Sequence, residues 1–171
     1  MKINVAQVKE AVGSQQTFNF FTSAEKIAAN GEHLWLDTDS DIEIRGEIVN
    51  NGRVLEVKGI IKAIAKHNCN RCLEDYTILL EIPFSEEYQQ GENEITTDNL
   101  DLMYYEGDEI DIADLVRESI LLAEPLKTIC KEDCRGLCQK CGTNLNIGTC
   151  SCNQFAVDPR LAALQKLLPK K

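Results

Sequence analysis

A chain of 171 residues with 43% hydrophobic and 27% charged side chains has the composition of a folded globular domain with room for a small appended module, which excludes a large multidomain enzyme and wholesale disorder. Its net charge of -10 repels a phosphate backbone at long range and argues against simple high-affinity binding of nucleic acid. No apolar run nears the roughly 18 residues of a membrane span, and Met1 to Glu10 lack the sections of a secretion signal, so no membrane partner is expected and the expected location is the cytoplasm.

In chain order, Lys2-Ile3-Asn4-Val5 can start a strand, and Phe18, Phe20 and Phe21 offer core aromatics. From Asp41 the pattern sharpens. Ile42, Ile44 and Ile48 alternate with polar residues, as do Leu55, Val57, Ile61, Ala63 and Ala65, and then Tyr76, Ile78, Leu80, Ile82 and Phe84. This period of two predicts an antiparallel meander over 41–84 with one face buried. Asn50-Asn51-Gly52-Arg53 marks a tight hairpin turn, because Asn-Gly accepts positive φ.

The segment from Glu86 to Asp114 holds 11 of the 28 acidic residues and no Lys, Arg or His. The rest of the chain is close to neutral, so its bases are free to cluster. With few apolar anchors, residues from about 86 to 110 read as a long acidic loop. Helical periodicity follows in Ile112, Leu115, Val116, Ser119, Ile120 and Ala123, with Asp111 as N-cap and Pro125 beyond the end. Asp158-Pro159 opens a last helix presenting Leu161, Leu164, Leu167 and Leu168. The predicted fold is α+β: an antiparallel β-meander with packed helices in 1–126, then a small Cys-rich zinc module and C-terminal helix in 127–171.

Eight cysteines carry the chemistry. In a reducing compartment, repeated C-x-x-C spacing points to metal ligation rather than disulfides. Cys138-Gln139-Lys140-Cys141-Gly142 has the form of a zinc knuckle, and Cys150-Ser151-Cys152 adds two sulfurs downstream. Cys69-Asn70-Arg71-Cys72 falls between the second and third predicted strands, where it caps a hairpin, and Cys130 and Cys134 stand upstream of the second knuckle. One arrangement surrounds one ion with Cys138, Cys141, Cys150 and Cys152 and another with Cys69, Cys72, Cys130 and Cys134. A rival joins the two C-x-x-C pairs on one ion. The first is preferred because closing the local loops is cheap. One or two zinc ions are expected, and the same thiolates suit iron–sulfur ligation.

A C-x-x-C pair also suits a cytosolic thiol-disulfide or redox-sensing protein, but such a pair follows a strand and opens a helix, whereas here a strand follows. His33 and His67 lack ligand spacing and read as structural, and the Asp108-Glu109 pair reads as part of a solvated charge run. Nothing resembles an assembled catalytic site, so neither enzyme activity nor a small-molecule substrate is expected. Lys58, Lys62 and Lys66 share one strand face, and with Arg71 they form a basic strip that either faces solvent or contacts RNA phosphates. Lys127, Lys131, Arg135 and Lys140 interleave with the second cysteine group, where they offset the double negative charge of a zinc ion held by four thiolates.

The succession Cys69-Asn70-Arg71-Cys72-Leu73, an acidic section, Glu118, Leu121-Leu122-Ala123-Glu124-Pro125-Leu126, Cys130, Cys134-Arg135-Gly136-Leu137-Cys138, Cys141-Gly142-Thr143-Asn144-Leu145-Asn146, Cys150-Ser151-Cys152 and Asp158-Pro159-Arg160-Leu161 resembles the bacterial YceD family. The resemblance covers about Asp41 to Leu168. It implies a non-catalytic factor needed for accumulation of 23S ribosomal RNA in large-subunit biogenesis. The charge split then suggests its partners: the basic strip touches ribosomal RNA, and the acidic segment from Glu86 to Asp114 engages a basic partner such as a large-subunit ribosomal protein and keeps it from binding RNA prematurely.

Overall fold

The alternating isoleucines of 41–68 produce long strands because β-branched side chains suit a pleated surface that is buried on one face. The protein is described from a computed structural model covering residues 1–28, 35–37, 39–91, 102–152 and 160. Its principal sheet has the order β2 (Gln15–Ser23), β3 (Asp41–Asn50), β4 (Leu55–Asn68), β5 (Asp75–Gln90), β6 (Leu102–Tyr105). Strand β1 (Lys2–Asn4) pairs antiparallel with β7 (Glu109–Asp111) in a second, two-stranded sheet. A single helical turn, α1 (Ala24–Ile27), follows β2, and α2 (Ala113–Leu122) follows β7.

Pairs β2–β3 and β3–β4 are antiparallel, whereas β5–β6 is parallel. The sheet is therefore mixed, and wider than the meander predicted for 41–84. Strand β2 escapes a clear alternating signal because Phe20 and Phe21 are adjacent: Phe18 and Phe20 pack against the core, while Phe21 is 67% exposed and is not a core aromatic. Ile42, Ile44, Ile48, Val57 and Ile61 are almost fully buried, each contributing about 1.5–3 kcal/mol of burial free energy. They meet Val116 and Ile120 of α2 in the same core cluster.

The hairpin between β3 and β4 turns at Gly52, whose φ is +86°. Asn51 does not share that conformation, so the connection spans residues 51–54 rather than a two-residue turn. Asn50 is buried and ties the turn to the segment at Val8. Its Nδ2 donates to the Val8 carbonyl at 2.9 Å, and its Oδ1 accepts the Gly52 N–H at 2.7 Å.

The loop expected for about 86–110 is not continuous. Strand β5 runs on to Gln90, and β6 and β7 follow within the acidic run, because Tyr88, Tyr105 and Ile110 are buried anchors spaced too far apart to show as a periodic signal. Several acids there are paired within the chain: Asp108 with Lys9, Glu109 with Lys2 at 3.0 Å, and Asp111 with the Met1 ammonium at 2.6 Å. Asp111 ends β7 instead of capping α2 in the strict position, yet its Oδ1 still accepts the Ala113 N–H at 2.9 Å. The acids of 92–101, His33 and the C-terminal helix expected from Asp158 lie outside the described residues. No helix among the described residues is long and apolar enough to cross a membrane.

The chain divides into two compact units. The first is Met1–His67 with Tyr76–Leu126, and the second is Asn68–Asp75 with Lys127–Lys171. The 69–72 knuckle thus belongs with the C-terminal cysteines, although it lies far from them in sequence.

Candidate metal centre

Within the second unit the eight cysteines gather as two groups of four, Cys69, Cys72, Cys130 and Cys134 in one and Cys138, Cys141, Cys150 and Cys152 in the other. In each, all four sulfurs lie within 4.8 Å of one another. The two C-x-x-C pairs stand in different groups. Four sulfurs about 2.3 Å from a central ion at tetrahedral angles stand about 3.8 Å apart. The Cys69–Cys134 and Cys72–Cys130 sulfurs are 3.9 and 3.7 Å apart, so the donor set fits a single ion.

The first group is built on a knuckle between β4 and β5. The Cys69 N–H donates to the Glu74 carbonyl and the Leu73 N–H to the Cys69 carbonyl, both at 2.9 Å. Leu73 takes φ +62°, the one positive value outside glycine among the described residues. It occupies the position after C-x-x-C that Gly142, at φ +73°, fills in the other knuckle. The partner segment is fastened by Arg71, whose Nη1 donates to the carbonyls of Cys134 at 2.8 Å and Glu132 at 3.3 Å. The second knuckle closes with Cys138 N–H to the Thr143 carbonyl and Gly142 N–H to the Cys138 carbonyl, both at 2.9 Å.

Backbone and side-chain donors aim at the sulfurs. Burial would push the Cys69 thiol up, but N–H groups of Cys130, Cys72 and Arg71 outweigh it and bring Cys69 down to about 6; the Arg71 and Cys130 nitrogens are each 3.4 Å from its sulfur. Asn146 Nδ2, 3.3 Å from the Cys134 sulfur, is the main cause of that thiol's lowered pKa. In the second group the Thr143 hydroxyl, 3.2 Å from Cys141 Sγ, leads the groups that lower Cys141 to about 6. Cys130, chiefly by burial, and Cys152, chiefly through its bond to Cys141, are each pushed up to about 12. Each group thus holds some sulfurs ready to ionise beside others that resist it, since four thiolates without a cation repel one another. A divalent ion removes that conflict.

Two outcomes follow. Asn146→Ala should weaken metal binding at the first group by about 10–100-fold, the usual cost of losing an outer-sphere partner, as read by competition with a chromophoric chelator; unchanged affinity would make the Asn146 contact incidental. As chelator is titrated into the reduced, loaded protein, Cys141 should be the first cysteine alkylated by iodoacetamide at neutral pH, because it is the exposed one of the eight and its thiol is lowered to about 6; restoring metal should suppress the reaction.

The basic residues have mixed surroundings. Lys58 pairs with Glu47 at 3.3 Å and Lys62 with Glu81 at 2.7 Å, so the strip on β4 is partly neutralised by neighbouring strands. Lys66 and Arg71 are exposed. Lys58 also borders a concavity of about 750 Å³ with Arg45, Phe18 and Phe84 around Gly46 and Gly59. Arg45 carried no signal in the sequence because only the β3–β4 register sets it near Lys58. His67 is buried and stacked on Trp35, ring centroids 5.2 Å apart, in keeping with a structural role.

Residues 57–168 match a family model described as "Large ribosomal RNA subunit accumulation protein YceD". The chain is similar to the chloroplastic "Large ribosomal RNA subunit accumulation protein YCED homolog 1" of Arabidopsis thaliana, 26% identical over 154 residues, which are 74% of this chain and 48% of that relative. A Mycobacterium tuberculosis protein is 27% identical over 75% of this chain and 61% of its own length. Bacillus subtilis YlbN is 35% identical over 58% of each chain. The chain therefore spans about half the length of the chloroplast relative and somewhat more of the bacterial ones. No solved structure matches it.

Proposed function

The chain belongs to the YceD family, and from that premise we propose that it is a non-catalytic factor for accumulation of 23S ribosomal RNA, stapled by two zinc ions and acting as an adaptor in large-subunit biogenesis. The observation that carries the reading is the pair of four-sulfur groups. Four thiolates saturate a tetrahedral ion and leave no position for substrate or reactive water, which is the mark of a structural rather than a catalytic zinc. Cys69, Cys72, Cys130 and Cys134 would hold one ion; Cys138, Cys141, Cys150 and Cys152 the other. When bound, zinc supplies cross-linking and charge neutralisation. Single-ion sulfur spacing favours zinc over an iron–sulfur cluster, whose bridging sulfides hold its cysteines further apart.

At the Cys69–Cys72 pair the thiol-disulfide alternative is disfavoured by burial, and at the exposed Cys141 it is separated from metal ligation by whether bound metal protects the thiol from alkylation. Cys69 is fully buried, Cys72 nearly so, and each faces a cysteine from 130–134 as well as its C-x-x-C mate. A redox thiolate must reach its substrate.

The adaptor role has two faces. On the first unit Lys58, Lys62 and Lys66 contact ribosomal RNA, with the first two exchanging Glu47 and Glu81 for phosphates, and on the second unit Arg71 makes a separate phosphate contact. Acids of the 86–114 segment outside the ion pairs described above engage a basic ribosomal protein in the cytoplasm, where ribosomes assemble. The test is removal of the gene: 23S relative to 16S ribosomal RNA should fall and recover with the wild-type chain. An unchanged ratio sinks the reading. Co-purification with and without RNase then separates RNA-bridged from direct protein partners.

A further inference from the structure

Helix α2 and strand β5, both in the first unit, leave an open groove of about 430 Å³ between them. Its apolar wall is formed by Ile82, Phe84, Leu115 and Leu122, and Glu86 and Glu118 stand at its rim. Leu122 is 87% exposed and the adjacent Leu121 36%, an unusual cost for helix positions that border a core. Among the described residues no Lys, Arg or His lines the groove. The one base on α2, Arg117, pairs with Asp114 at 3.4 Å, so its charge is already met within the helix.

We propose that this groove docks a basic amphipathic helix of a protein partner. This rests on the reading that the partner is a basic ribosomal protein, and gives that partner a place. The apolar wall suits leucine-type anchors at helical spacing, and the acidic rim suits flanking Lys or Arg. RNA fits poorly, because Glu86 and Glu118 repel phosphate. A second copy fits poorly too, since its α2 would bring Asp114 and Glu118 against the same acids.

The test uses the full metal-loaded chain with Leu122 replaced by the photo-crosslinker p-benzoylphenylalanine, irradiated with purified RNA-free large-subunit ribosomal proteins and, separately, with intact large subunits. The adduct is expected on a Lys- or Arg-bearing helical segment of a ribosomal protein, and the Glu86→Lys/Glu118→Lys double variant should bind that protein about tenfold more weakly. Both acids are solvent-accessible, so the variants should keep their melting temperature and metal content. Adducts on ribosomal RNA or on a second copy of the chain, no adduct, or undiminished binding after charge reversal would each overturn the proposal. Complementation separates the two readings. If gene removal lowers 23S ribosomal RNA and both Leu122→Asp and the double variant restore it fully, the groove is wrong and the function stands; if gene removal leaves that RNA unchanged, the functional reading itself has failed.

Discussion

Replacing Cys134 with serine should remove one metal equivalent and release residues 69–72 from 130–134 within the second unit, while the Cys138, Cys141, Cys150 and Cys152 group keeps its ion and the strand signal of the first unit persists. Cys134 is buried at 4% exposure, and its group joins residues 69–72 to 130–134, segments that are otherwise fastened by a few hydrogen bonds such as those of Arg71. A unit this short, with two of its segments far apart in sequence, has too little apolar burial to offset its own chain entropy. Structural zinc supplies roughly 10–16 kcal/mol in small modules, more than the total stability of most domains. Elemental analysis should fall by one ion per chain, and limited proteolysis should cut within 127–137, ahead of the second group, about tenfold faster or more. Retained metal with an unchanged digest would show that the group is not a ligand set.

Gly59→Val should be the most damaging change in the sheet. Gly59 lies opposite Gly46 in the β3–β4 register. A β carbon at Gly59 would overlap the Arg45 carbonyl oxygen and come within 2.7 Å of the Phe84 ring; one at Gly46 would overlap the Lys58 carbonyl and come equally close to Phe18. Backbone cannot give way as a flexible side chain can, so roughly 3 kcal/mol or more is lost. For a chain of this size that lowers the melting temperature by about 6–12 °C. Gly148→Ala is the control, since its β carbon would meet only ordinary contacts, the nearest at 3.7 Å, and the melting temperature should barely move. Similar melts for both variants would contradict the close strand approach.

Strands β3, β4 and most of β5 were legible because one buried face forces a strict alternation, as Ile42, Ile44 and Ile48 show. Strands β6 and β7 were hidden: Tyr105 and Ile110 are lone anchors in an acidic run, and a single anchor has no period. The eight cysteines announced themselves by spacing, but their outer partners did not. Asn146 and Thr143 approach Cys134 and Cys141 only once the second unit has folded. Leu73 could have been found by comparing the two knuckles, since it stands where Gly142 stands and shares its positive φ. The pairing of Lys58 with Glu47 is a cross-strand contact, so it depends on a register that residue spacing within one strand does not contain.

The most direct test of the two-ion account is native mass spectrometry of the full chain purified anaerobically with reductant, followed by alkylation before and after chelation. Two zinc ions per chain are expected, with Cys69, Cys72, Cys130, Cys134, Cys138, Cys141, Cys150 and Cys152 protected until the chelator is added and reactive afterwards. A metal-free chain whose eight thiols react at once, with stability indifferent to chelator, would contradict it.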